Sequence, residues 1–339
     1  MTSKEFAKKI GVSQTTVSRA LNDSPLVPCE KKADIVKMAM QCGFVLNSQA
    51  RSLKTNKTGT IGILFPRYFA SFSKNIMFTH IYDQVQRELI SREYDIMVIY
   101  DYSEKQSIPV FERIIKCHKI DGFVNLRPYL SANEVKLITQ YTVPCVSIFN
   151  ARQKNKNLHQ IFVDDKCAGF LAGDFFGPQK DYTPVYLARP VTEELSGLRL
   201  DGFCEGLDKY RRSIPDKQIL TSSVSMDDAY NVVMSKKEWF KKNKFAIFAY
   251  NDVIASGALL AFKDIGLAIP DHIQILGMDD IPMASWLHPR LSTLQIPVKD
   301  LATEACSLLC RLLEGEKVPI ARKNFKPTLI LRETTVNSR

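Results

Sequence analysis

From residue 58 onward the chain alternates short β-branched runs with longer amphipathic stretches, and this alternation restricts the fold more than any other feature. The runs TIGILF (60–65), DIMVIY (95–100), GFVNL (122–126), CVSIF (145–149), QIFV (160–163), PVYLA (184–188), FAIFAY (245–250) and QILGM (274–278) read as strands. Helical stretches fall between them at 79–92, 107–118, 168–176, 199–210, 227–241 and 252–264. Strand and helix in strict alternation close as parallel sheets with right-handed crossovers. At 339 residues the chain predicts two to three domains, and two such doubly wound sheets fit its length.

Residues 2–54 do not share this pattern. Phe6, Ala7 and Ile10 recur at helical spacing, Gly11 stops the run and Ser13 restarts it, which describes two short helices joined by a tight turn. Thr2 with Glu5 three residues on forms a capping box for the first. In the second, Val17, Ala20 and Leu21 would bury, and the opposite side carries Gln14, Thr15, Thr16, Arg19 and Asn22. A third helix is expected from about Cys29 to Cys42, with Ile35, Val36 and Met40 inward and Gly43 at its stop. The charge is uneven in the same sense. Residues 1–60 hold ten Lys or Arg against four Asp or Glu, while the remaining 279 hold 36 against 32. A basic three-helix module with a polar recognition face points to nucleic acid, because neutralising phosphates releases counterions.

Other chemistries find little support. The eight cysteines show no CxxC and sit in apolar settings such as TVPCVSIF and ACSLLCRLL, and the five histidines show no ligand spacing, so neither a metal site nor a cofactor is expected. There is no GxGxxG fingerprint, P-loop or GxSxG elbow, and no enzyme is expected. No apolar run approaches the ~20 residues needed to span a bilayer, and no secretory leader is evident, which reads as a reduced, cytoplasmic protein without membrane contact.

The motifs GVSQTTVSRALN (11–22), ARSL (50–53) and TGTIGIL (58–64), followed by landmarks in matching order as far as Thr335, resemble the LacI/GalR family of bacterial transcription regulators. The resemblance implies an all-α helix-turn-helix headpiece (1–45), a hinge helix and linker (46–58), and a two-lobed sensor (59–339) with the periplasmic-binding-protein-like α/β fold. It implies lobe 1 at about 59–159 and 292–320, and lobe 2 at about 160–291 and 321–339. The second helix would enter the major groove, with Gln14, Thr15 and Arg19 at the base-reading positions. Arg pairs bidentately with guanine and Gln with adenine. Ser13, Thr16 and Ser18 would cap the helix or touch phosphate, and Asn22 shares their face. The hinge segment NSQARSLK (47–54) starts at a capping Asn47. It is too short to hold a helix alone, so order is expected only on DNA, with Leu53 in the minor groove and Arg51 and Lys54 against backbone or groove.

The same resemblance implies a homodimer or higher assembly on a pseudo-palindromic operator, acting as a repressor of carbohydrate genes under a sugar or sugar-phosphate effector. Carried over motif by motif, the effector residues are Asp164 in VDDKCAG, Arg199 in GLRLDGF, Asn251 in YNDVIASG, Asp279 in LGMDDIP and the aromatic Phe78. Phe78 also reads as core, Asp252 as a helix cap and Asp280 as turn chemistry. Open parallel sheets bind ligands beyond their carboxyl ends, where this chain delivers Arg67, Arg127 and Arg189 as well. Those three arginines either favour an anionic ligand or lie outside the cleft. Glu193 and Glu194 stand where purine-responsive relatives carry a basic residue, which speaks against that effector class. An exported solute-binding protein would share the two lobes, but residues 2–54 have no place in it.

Overall fold

The computed structural model describes residues 1–21, 24–44, 57–66, 76–100, 109–149 and 158–336. The capping box predicted at Thr2 and Glu5 starts α1 (Ser3–Lys9), with Glu5 N donating to Thr2 Oγ1 and Thr2 N to the Glu5 carboxylate at 2.7 Å. After the turn at Gly11 come α2 (Gln14–Leu21) and α3 (Cys29–Gln41). Phe6, Val17, Ala20, Ile35 and Ala39 form their small core, closed by Phe44 stacked on Phe6 at 4.4 Å. Met40 was expected inward, but Ala39 takes the buried position and Met40 is 77 % exposed. In so thin a module the inner stripe is narrow, and a residue one step around the helix from it already faces water.

The rest forms two six-stranded sheets. The first has the order β2-β1-β3-β4-β5-β11, all parallel, from β1 (Thr60–Leu64), β2 (Asp95–Ile99), β3 (Gly122–Asn125), β4 (Cys145–Ile148), β5 (His159–Val163) and β11 (Arg322–Phe325). The second has the order β7-β6-β8-β9-β10-β12, from β6 (Tyr182–Ala188), β7 (Ile219–Thr221), β8 (Lys244–Ala249), β9 (Ile273–Asp279), β10 (Ser292–Gln295) and β12 (Thr328–Ile330). Its pairings are parallel except for β12 against β10. The crossover helices are α4 (Ile76–Ile90), α5 (Val110–Lys116), α6 (Ala132–Gln140), α7 (Asp165–Phe176), α8 (Glu194–Asp208), α9 (Met226–Ser235), α10 (Lys237–Phe240), α11 (Asp252–Ile265), α12 (Pro282–Trp286) and α13 (Val298–Leu313). Central strands are buried on both faces, as continuous apolar runs require; β9 and β4 have no exposed residue.

The sheets also fix where the chain passes between lobes. β5 and β11 belong to the first sheet and β10 to the second, so the three crossings fall at 163–165, 295–298 and 325–328. The boundaries expected at 159, 292 and 320 are therefore shifted by a few residues. Each strand runs its full length in one sheet before the chain leaves it, and β10, β11 and β12 are short and polar enough to have escaped the pattern of apolar runs.

The start of the first lobe is pinned from below. Asp121 accepts from Thr58 N (2.6 Å), Thr58 Oγ1 (2.9 Å) and Gly59 N (2.8 Å), while Gly59 takes a left-handed φ of 72°. Lys57 Nζ donates to Leu313 O at the end of α13.

Candidate functional site

A cavity of about 700 Å³ lies between the carboxyl ends of the two sheets. The first lobe contributes Pro66, Leu126, Pro128 and Phe149 beyond its strands, Phe162 at the end of β5, and Ile76, Met77 and Phe78 from α4. The second contributes Asp165, Arg189, Glu193, Arg199, the turn 221–224, Asp228, Tyr250, Asn251 and Asp279. The described part of the lining is thus amphipathic across the cleft, with apolar and aromatic groups facing hydrogen-bonding ones. Phe78 meets Phe149 edge to face at 6.1 Å, and Phe149 holds a left-handed φ of 69°.

Arg199 is the centre of the polar wall. It is 6 % exposed, and its Nε and Nη2 both reach Asp165 Oδ1 at 2.8 Å. Its Nη1 donates to Tyr250 O and its guanidinium lies 4.1 Å from the Tyr250 ring centre. Burial works against the guanidinium's charge, yet Asp165, Tyr250 and Asp279 together hold it more firmly protonated than usual. Asp279 ends β9 with φ 114°, a backbone position that costs a non-glycine residue about 1–3 kcal/mol. Burial, partly opposed by Arg199 and reinforced by Asp165, pushes its carboxyl up to about 7. Asn251 Oδ1 caps α11 by accepting from Ile254 N at 3.0 Å, leaving its amide nitrogen toward other partners.

Other groups on the same strand ends turn into the protein. Asp164 caps α7, accepting from Cys167 N at 2.9 Å and from Asn324 Nδ2 at 3.1 Å, and does not line the cavity; its neighbour Asp165 does. The motif match selected the first of two adjacent aspartates, whereas the cap geometry gives the first to the helix backbone and the second to the cleft. Asp252 is fully buried, bonded by Thr293 Oγ1 at 2.6 Å and Ile281 N at 2.9 Å, and burial reinforced by Asp279 pushes its carboxyl well above the carboxylate range. Asp280, φ 55°, is clasped by Arg332 Nη2 (2.7 Å) and Gln295 Nε2 (2.8 Å) from the segments beside two crossings. Of the arginines, Arg189 lines the cavity in a half-exposed pair with Glu193 at 2.6 Å. Arg127 is absorbed by Glu134 at 2.5 Å and by Phe65 O, and Arg67 lies outside the described residues.

Four carried-over effector positions, Phe78, Arg199, Asn251 and Asp279, thus meet in one cavity. Sequence reasoning missed Asp165, Phe149, Phe162, Tyr250 and Asp228. Asp165 and Tyr250 stood beside chosen residues, but only hydrogen-bond direction separates neighbours.

In the headpiece, Ser13 caps α2, its Oγ accepting from Thr16 N at 3.0 Å and lying 2.8 Å from Thr16 Oγ1. Gln14, Thr15 and Arg19 are exposed along one side of α2 and Ser18 is half-buried, while Val17 and Ala20 face the core. Asn22, Asn47, Arg51, Leu53 and Lys54 lie outside the described residues. Among the described residues no group of three His, Cys, Asp or Glu could hold a metal, and no helix is long and apolar enough to cross a membrane.

The chain thus sets a helix-turn-helix module ahead of a two-lobed α/β region with a ligand-sized cleft. The sequence profile of a periplasmic binding protein-like domain matches residues 183–335. The chain is 23 % identical to the HTH-type transcriptional repressor PurR of Proteus mirabilis, covering 99 % of this chain and 97 % of that protein. It is 26 % identical to the ribose operon repressor of Halalkalibacterium halodurans, over 98 % and 97 %. Its fold matches the lac repressor dimer bound to operator and an anti-inducer, with a TM-score of 0.77, 18 % identity and 99 % of both chains covered. Over nearly its whole length the chain is similar to these transcriptional repressors.

Proposed function

We propose that the protein is a sequence-specific transcriptional regulator, a repressor of carbohydrate-utilisation genes whose operator affinity is set by a small sugar or sugar phosphate in the interlobe cleft. The observation that carries this reading is the cavity in which Arg199, Asp165 and Asp279 face Phe78 and Phe149. Hydroxyls need such polar groups, and the apolar face of a sugar ring needs aromatic cover. The relatives' names, a ribose operon repressor among them, agree with it. Gln14, Thr15 and Arg19 would read bases, Ser13, Thr16, Ser18 and Asn22 would approach phosphate, and Asn47, Arg51, Leu53 and Lys54 would form the hinge contact. The working form would be a cytoplasmic homodimer without catalytic activity. Ile90 on α4, Leu260 on α11 and Trp286 on α12, which are 57, 47 and 74 % exposed, offer apolar surface for the partner.

Gel-shift titration of the upstream DNA of its own gene, repeated with a panel of sugars and sugar phosphates, tests the reading. A specific shifted band that one panel member strengthens or dissolves is expected, and a protein indifferent to that DNA and to every member refutes it. Arg19→Ala should weaken operator binding by about 1–3 kcal/mol and relax preference at one base pair. Unchanged base preference would remove Arg19 from the base-reading set.

A further inference from the structure

We propose that the ligand of this cleft is a hydrogen-bond donor without negative charge, an uncharged or amino-bearing sugar, and that phosphorylated and carboxylated sugars are rejected. The inference rests on the regulator reading above and narrows it. Four carboxylates and two guanidiniums line the described part of the cavity. Both guanidiniums are already ion-paired, Arg199 with Asp165 at 2.8 Å and Arg189 with Glu193 at 2.6 Å. Asp279 and Asp228 are left over.

Asp279 is 7 % exposed and, among the described residues, accepts no hydrogen bond, although its backbone is held in a strained conformation that aims it at the cleft. Its carboxyl oxygens face the cleft with no donor from the described residues, so the site suits a partner that donates. Asp228 uses Oδ2 to accept from Ser223 N at 2.6 Å and Ser222 Oγ at 3.3 Å, which leaves Oδ1 toward the same space. Two carboxyl groups with oxygens open on one wall suit the hydroxyls of a polyol or an ammonium group. When ionised they repel phosphate, and the cleft's arginines are already ion-paired.

The test measures melting temperature and calorimetric affinity of the full chain at fixed ionic strength. The probes are D-ribose, D-glucose, D-galactose, cellobiose and D-glucosamine against ribose 5-phosphate, glucose 6-phosphate, D-glucuronate and inorganic phosphate. A member of the first group should stabilise the protein, and its phosphorylated or carboxylated counterpart should bind about tenfold more weakly or worse. In Asp279→Asn, and in the double variant with Asp228→Asn, that ratio should shrink toward one, a change that a general loss of packing would not produce. Stabilisation by a phosphorylated sugar or a uronate but not by its uncharged parent overturns the proposal, as does a first group in which nothing binds. Gel shifts on the same samples separate the two readings. Loss of all specific DNA binding indicts the regulator reading, whereas retained DNA binding with an anionic effector indicts the charge class alone.

Discussion

Asp279 concentrates the chemistry of the cleft in one side chain. Its carboxyl titrates near 4 in an unfolded chain and at about 7 when folded, so the folded state binds the proton more tightly. The contribution it makes to stability is complete below pH 4 and disappears as pH rises through about 7. The stability lost across that window is at most about 4 kcal/mol. Asp279→Asn should therefore flatten the decline in melting temperature between pH 4 and 7 and leave the ligand-free variant the more stable protein at pH 8. Melting curves across that range check it, and an unchanged pH profile would show that the carboxyl is solvated as usual. Of this site the sequence made the residue types legible: Arg199, Asn251 and Asp279 stand in motifs, and strand ends point at ligands. The choice between Asp164 and Asp165 was not legible, because it depends on which carboxylate the first turn of α7 captures.

At the level of elements, the geometry of the polar wall is set by how closely α7 and α8 approach. A Cβ on Gly169 would stand 1.9 Å from Arg199 O, and one on Gly202 would stand 1.9 Å from Lys166 O. No side chain fits between these backbones, and that closeness lets Arg199 on one helix grip Asp165 on the other. Gly202→Ala must push the helices apart and should destabilise the protein by about 1–3 kcal/mol or more, with loss of ligand affinity even though residue 202 does not line the cavity. Denaturant titration with calorimetry measures both; a neutral outcome would mean that the pair slides without cost. Strands and most crossover helices could be read from period and β-branching. Helix α12 and strands β7, β10, β11 and β12 could not, because short or mixed-polarity segments are assigned by their neighbours in space. Strand β11, Arg-Lys-Asn-Phe, is a strand because β5 pairs with it, not because of its composition.

For the whole molecule, charge and connection matter most. More than half of the basic surplus lies in the first 60 residues, so operator affinity should fall steeply with salt, with a log–log slope of magnitude about 0.9 per phosphate neutralised. Fluorescence anisotropy at several salt concentrations gives the slope, and a value below about 2 would mean that the headpiece scarcely touches the backbone. Asp280, held between Gln295 and Arg332, ties the end of β9 to the end of β10, where one crossing begins, and to the segment that follows β12. The Asp121 clasp on Thr58 and Gly59 has a mechanical consequence of its own. Among the described residues, the segment that enters the sensor is fastened at Thr58 and Gly59 to Asp121 and at Lys57 to the end of α13, all within one half of the molecule. On the proposed reading, a metabolite in the cleft would reach the genome by tilting that half first.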